Sequence, residues 1–245
     1  MTRHTSALLQ SWPRPQRDAL PLALWDAAGI AAATGGTASH AFEASGVEMD
    51  SRDVRPGDVF VALEGDKMDG HRFVEQAFAR GAVAAITDRR IDFPHVLVED
   101  TTKALHDLAH AARERADAVL IGITGSVGKT GMKEAIFACL DRASRGAAHR
   151  SVRSYNNHVG VPLSLARMPA RTRYGVFEMG MNHAGEIAPL SAHVRPHVAL
   201  ITTIAPAHIE NLGSMEAIAD EKASIFDGLM PGGTAIIPAD SEWAD

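Results

Sequence analysis

The stretch Thr124-Gly125-Ser126-Val127-Gly128-Lys129-Thr130 has the residue types and spacing that most directly specify chemistry. Glycines at 125 and 128 let main-chain N–H groups curl around phosphate oxygens, and a helix starting there adds its partial positive charge. Ser126 and Val127 form the turn between them. Lys129 is placed to reach the β/γ-phosphates of a nucleoside triphosphate, and the Thr130 hydroxyl to take a Mg²⁺ position. The strict pattern asks for glycine where Ile123 stands, so the match is to the shorter T-G-x-x-G-K-T form.

Other side chains carry chemistry only in company. Glu178 ends the run Tyr174-Gly175-Val176-Phe177-Glu178, where a carboxylate can hold Mg²⁺ beside phosphates or simply face solvent. His208, one of 12 histidines, follows another strand candidate. Ser214 reads as an N-cap, and Met215, Ile218, Ala219, Ile225, Phe226 and Leu229 mark one apolar face, with Lys222 in its middle. Snorkelling is the simple account of such a lysine. Addition of CO₂ would instead make it a carboxylate-like metal ligand beside His208. Asn156 and Asn157 offer neutral donors and acceptors for orienting a substrate, or turn chemistry alone.

The elements that must position these groups alternate. Ala118–Ile123 reads as a buried strand before the loop, and apolar residues at 132, 135, 136, 139 and 140 mark a helix after it. Further strands are expected at Tyr174–Met179, Val198–Thr203 and Thr234–Ile237, with helices between them, as in a mainly parallel sheet. Ligands of such sheets bind beyond the carboxyl ends of the strands. Upstream, strands are expected at Val59–Leu63, Val83–Ile86 and Val96–Val98. Helices are expected at Arg72–Arg80, stopped by Gly81, and at Thr102–Arg115. The polar run Arg113–Asp117 reads as a junction, dividing the chain into an extended segment 1–21 and α/β units 22–115 and 116–245.

Composition narrows the classes. With 245 residues, 46% hydrophobic and 22% charged, the chain reads as globular and soluble. A net charge of −6 argues against nucleic acid as main partner. No run approaches the ~18 apolar residues of a membrane span, and the N-terminus lacks the apolar core of a signal peptide. The single Cys139 lies on the expected apolar stripe and reads as a core residue of a cytoplasmic protein. The chain stops soon after the last strand candidate, which reads as truncation.

In order along the chain, these stretches resemble the Mur ligase family. The resemblance is carried by Gly122–Thr130, Asn156-Asn157-His158-Val159-Gly160-Val161-Pro162, Glu178-Met179-Gly180-Met181-Asn182-His183-Ala184-Gly185-Glu186-Ile187, and His208-Ile209-Glu210 through Glu221-Lys222. Asp50-Ser51-Arg52 with Pro56–Leu63 is similar to the family's N-terminal domain. The resemblance implies a small α/β uridine-nucleotide-binding domain, followed by a P-loop-type, mostly parallel α/β ATPase domain incomplete at its C-terminus. On that resemblance, the family's third domain is expected to lie outside these 245 residues.

The implied activity is ATP-dependent ligation of D-alanyl-D-alanine to UDP-N-acetylmuramoyl-tripeptide through an acyl phosphate, in a cytoplasmic monomer. Lys129 would neutralise phosphates, Thr130 and Glu178 would hold Mg²⁺, and His208 with carbamylated Lys222 would hold a second metal. Asn156 and Asn157 would place substrate or nucleotide, and Ser51 and Arg52 would bind the uridine nucleotide. Alternatives are a naturally short ATP and nucleotide-sugar binding module, a sister Mur ligase, or a folylpolyglutamate synthase. Gly131, where the family usually has a better helix former, is expected to loosen the first helical turn.

Overall fold

A computed structural model describes residues 23–65, 68–207 and 209–243. The segment 1–21 and His208 therefore lie outside the described residues. Two five-stranded sheets, each with its own helices, account for most of the rest.

The first unit is assembled from very short pieces, with β1-β3 and β6-β7 pairing apart from its five-stranded sheet. β1 (Trp25–Asp26) leads into α1 (Ala27–Thr34), capped by the Asp26 carboxylate on the Gly29 N–H at 2.6 Å. Then come β2 (Thr37–Ala38), β3 (Glu43–Ala44), β4 (Gly46–Glu48), β5 (Asp58–Val61), and the pair β6 (Glu64–Gly65) and β7 (Met68–Asp69). A 3-10 turn at Gly70–Phe73 opens α2 (Val74–Ala79), which ends before Gly81 at φ 104°. β8 (Ala84–Thr87), β9 (His95–Leu97) and α3 (Thr101–Arg115) complete the unit. The sheet order is β2-β9-β8-β5-β4, parallel except for β2 on β9.

The second sheet is all parallel, in the order β11-β12-β10-β13-β14. β10 (Val119–Thr124) is its central strand and runs into the glycine turn and α4 (Lys129–Ser144). β11 (Ala148–Arg150), α5 (Gly160–Ala166), β12 (Tyr174–Glu178), α6 (Ile187–Val194), β13 (Val198–Ile201), α7 (Ile209–Leu212), α8 (Met215–Ala223) and β14 (Thr234–Ile236) follow. Alternate strand residues serve opposite faces. Leu120, Phe177 and Ile201 join a core with residues of α5, α6 and α8, while Ile121, Ile123 and Val176 pack with α4.

The expected stripe on α4 is rotated. Its inward residues are Lys133, Ile136, Phe137 and Leu140, whereas Met132, Ala135 and Cys139 are exposed. Cys139 is therefore not a core residue. Two adjacent stripes share Ile136 and Leu140, and contact with Ile121, Ile123 and Val176 selects the one that contains a lysine.

The run Arg113–Asp117 connects the units without being a solvated linker. α3 lies against α5, and Arg113 donates to the Val194 carbonyl at 3.0 Å. Arg115 donates to the carbonyls of Leu24 and Met168 and stacks over Trp25, whose indole N–H reaches the Ala166 carbonyl at 2.9 Å. Guanidinium groups satisfy main-chain acceptors that the meeting of the two units would otherwise bury unpaired. No helix among the described residues is long and apolar enough to cross a membrane.

Candidate functional site

The glycine turn is held open by its surroundings. Gly125 has φ 144°, and a Cβ there would sit 1.9 Å from Thr202 Oγ1, so only glycine fits. Gly128, at φ 84°, occupies the N-cap position of α4. The loop after β13 braces the turn: Ser126 N–H donates to the Thr203 carbonyl at 2.8 Å, and Thr202 Oγ1 donates to the Val127 carbonyl at 2.6 Å. The Val127 side chain projects outward, 62% exposed, so its contribution to the loop is main-chain.

At the start of α4, the Lys129 ammonium turns back onto the Gly125 carbonyl inside the loop. Burial holds its pKa below the ordinary lysine value, with the Glu178 carboxylate opposing. An ammonium already stripped of water gains from an anion placed in the loop. Thr130 Oγ1 donates to Glu178 Oε2 and Asn156 Nδ2 to Glu178 Oε1, both at 2.8 Å. Glu178 is 2% exposed, and its own N–H is taken by Ser151 Oγ at 3.0 Å. β10 and β12 are neighbours in register, Ile123 opposite Glu178, which brings the strand-end carboxylate to the loop. A hydroxyl and a carboxylate converging here form a hard-oxygen pair that suits Mg²⁺.

Lys222 lies on the buried side of α8, 2% exposed, with its pKa lowered to about 8. Burial is the main cause and repulsion from Lys129 adds to it, while Glu221 pulls the other way. Glu221 accepts the N–H groups of Gly185 at 2.7 Å and Ile187 at 2.8 Å, tying α8 to the start of α6. Lys129, Thr130, Glu178 and Asn156 thus converge, and Lys222 lies within electrostatic reach of Lys129. Asn157 acts differently: its Oδ1 accepts the Gly160 N–H at 2.9 Å and shapes the entry to α5, which is turn chemistry.

Ser51 and Arg52 line a separate cavity of about 650 Å³, with Leu63, Phe73 and Gln76 of the first unit and Tyr155 of the second. Ser51 Oγ is pinned on Gln76 at 2.7 Å, while Arg52 forks onto Asp50 at 2.9 and 2.6 Å. That hydrogen-bonded guanidinium holds the Asp50 carboxyl below its ordinary range. Apolar walls with a few fixed polar groups suit a flat ring bearing polar edges. Sequence reading missed Ser151, Gln76, Glu221 and Lys133, whose partners are distant in the chain. For Lys133 and Glu221 the only signal was polarity at positions that helical spacing turns inward; Gln76, on an exposed position of α2, and Ser151, just after β11, gave none.

Fold and loop together define a two-unit α/β protein built round a glycine-turn strand–turn–helix. Family profiles assign the rest: residues 43–117 match the Mur ligase family, catalytic domain, and residues 123–245 the Mur ligase middle domain. The chain belongs to the Mur ligase family.

Similar curated proteins include the UDP-N-acetylmuramoyl-tripeptide–D-alanyl-D-alanine ligases of Bacillus subtilis (strain 168) and Escherichia coli (strain K12). The first is 41% identical over 200 residues, covering 80% of this chain and 43% of that protein. The second is 40% identical over 200 residues, covering 80% and 44%. The chain spans about half the length of the curated relatives it matches. Among solved structures, MurF from Acinetobacter baumannii superposes with a TM-score of 0.79 at 36% identity, over 91% of this chain and 51% of that one. MurF ligase from Thermotoga maritima in complex with ADP gives 0.65 at 32% identity, over 80% and 46%.

Proposed function

We propose that this chain carries the substrate-binding and nucleotide-binding parts of an ATP-dependent ligase joining D-alanyl-D-alanine to UDP-N-acetylmuramoyl-tripeptide. In this reading the unit around the first sheet takes the uridine nucleotide and the second takes ATP. The observation that carries it is the convergence of Lys129, Thr130, Glu178 and Asn156 on the mouth of the glycine turn. Curated relatives named for this activity support the choice of substrates.

The chemistry follows from the groups present. The tripeptide's terminal carboxylate attacks the γ-phosphorus, ADP leaves, and the acyl phosphate so formed is attacked by the amine of D-alanyl-D-alanine, releasing phosphate. Main-chain N–H groups at 127–130, the Ser126 N–H being taken by Thr203, and the Lys129 ammonium stabilise charge on the transferring phosphoryl group. Thr130 and Glu178 would hold Mg²⁺, which supplies charge neutralisation when bound. Lys222, whose lowered pKa makes the neutral amine accessible near pH 8, would be the group carbamylated and, with His208, would hold a second metal. Asn156 keeps the Glu178 carboxylate oriented.

The test is calorimetric titration of ADP into wild-type protein and Lys129→Ala, with phosphate release measured in the presence of both substrates. Nucleotide binding lost in the variant supports the loop. Unchanged affinity in Lys129→Ala overturns it. Release that depends on a different acceptor amino acid would reassign the substrate.

A further inference from the structure

One turn beyond Lys129, α4 buries a second lysine. Lys133 is 0% exposed. Its ammonium donates to the main-chain carbonyls of Ser151, at 3.2 Å, and Arg153. Glu134 Oε1 lies 3.3 Å away, and Glu178 Oε2, without a hydrogen bond, 3.9 Å away. Burying an ammonium costs hydration that only well-placed acceptors return. Both hydrogen-bond acceptors belong to one short piece of chain, the segment between β11 and the loop that carries Tyr155 and Asn156.

That segment reaches both sites. Ser151 Oγ takes the Glu178 N–H, and Asn156 the Glu178 carboxylate. Arg153 is held at φ 52°, in the left-handed region that residues with a Cβ adopt at a cost. From there its guanidinium forks onto Asp53 of the first unit at 2.8 and 3.2 Å. Asp53 directly follows Asp50-Ser51-Arg52, and Tyr155 lines the same cavity as Ser51.

We propose that Lys133 is a positioning residue that joins the two sites. It fixes the 151–156 segment, so that Arg153 stays on Asp53 and Tyr155 on the wall of the cavity, in constant relation to the phosphate loop. The proposal rests on the reading of that cavity as the uridine-nucleotide site.

The experiment is a double-mutant cycle of Lys133→Met and Asp53→Ala, read by calorimetric titration of UDP-N-acetylmuramoyl-tripeptide. Methionine keeps the length of the side chain and removes its donors, while Asp53→Ala cuts the far end of the chain of contacts. Each change is expected to weaken binding about tenfold, and the pair to cost little more than either alone, because both interrupt one connection. Effects that multiply overturn the proposal, as does a folded Lys133→Met protein that binds like wild type. If Lys133→Met does not fold, Arg153→Ala replaces it with the same expectation, since it leaves the buried ammonium in place. In that case, wild-type affinity in Arg153→Ala overturns the proposal.

Amide hydrogen exchange of the same variants needs no ligand. Lost protection at 50–54 as well as at 151–157 marks positioning across the two units. Loosening confined to 151–157 marks a local structural lysine and overturns the proposal. A wild-type protein that fails to bind the UDP substrate, with the exchange result intact, removes the reading of the cavity and leaves the positioning.

Discussion

Thr130 Oγ1 donates to Glu178 Oε2 across 2.8 Å, so the hydroxyl that follows the loop lysine and a strand-end carboxylate face one point. Asn156 fixes the other oxygen, which leaves the carboxylate a single orientation. Glu178→Gln keeps the shape, removes the charge and sets an amide NH₂ against one of two donors. Affinity for ADP with Mg²⁺ is expected to fall about tenfold or more, because the proposed Mg²⁺ site loses its anionic ligand. Affinity in EDTA is expected to hold or rise, since a negative charge beside the phosphates is gone. Paired titrations with and without Mg²⁺ measure both, and an equal loss in the two buffers would falsify the metal role.

Lys222 offers a second test. Its pKa, lowered to about 8 by burial and by Lys129, makes the neutral amine the major form above that pH, where an ordinary lysine is still an ammonium. Only the neutral amine adds CO₂. With ¹³C-labelled CO₂ at fixed dissolved concentration, a carbamate resonance is expected to grow between pH 7 and 9 and to be missing in Lys222→Ala. In the full-length protein, the proposed ligation is expected to vanish in the same variant and to return in part with short carboxylic acids. A variant with full activity would make Lys222 a buried structural lysine with no part in the chemistry.

How far these groups could be read beforehand depended on whether their geometry is local. Gly125, Gly128, Lys129 and Thr130 lie in one strand–turn–helix, where spacing alone sets positions. Lys222 was legible as inward because 100° per residue places it among Ile218, Ala219 and Ile225. Lys133 was not, although the same rule applies: Ile136 and Leu140 fit either of two stripes, and its acceptors at Ser151 and Arg153 belong to another segment. The first sheet was legible only in its longer strands. β1, β2 and β3 have two residues each, too few for any period, and exist because β1 and β3 pair with each other and β2 with β9. Asn157 looked like a partner for Asn156, yet its oxygen is taken by the Gly160 N–H.

Gly131 sits inside α4, and a Cβ there would meet nothing within 4 Å. Its cost to the helix is therefore entropic and is not repaid by close packing. Gly131→Ala is expected to stabilise the protein by about 0.8–1 kcal/mol, raising Tm by about 2–4 °C for a chain of this size. Thermal unfolding checks it, and a lowered Tm would mean that the first turn of α4 needs glycine for a reason outside helix propensity.

His149 on β11 sets an acid limit on the fold. Its Nε2 lies 2.7 Å from the Ser164 carbonyl, and its ring centroid 5.9 Å from that of Phe177. Loss of hydration lowers its pKa from 6.5 to about 4, against the pull of the Ser164 carbonyl and with help from Arg167 and Arg150. The folded state thus keeps the imidazole neutral, donating Nε2–H to Ser164, while the unfolded chain protonates it below about pH 6.5. Between those values the unfolded state binds the extra proton, so stability falls as pH drops from about 6.5 toward 4, by up to about 1.4 kcal/mol per pH unit from this site. His149→Gln keeps an N–H donor and cannot titrate. Urea unfolding midpoints at pH 7, 6 and 5 should therefore decline less steeply in the variant. Parallel declines would place the acid sensitivity on groups other than His149; the Asp50–Arg52 pair is not among them, because its carboxylate is held below its ordinary pKa and gives way only below this range.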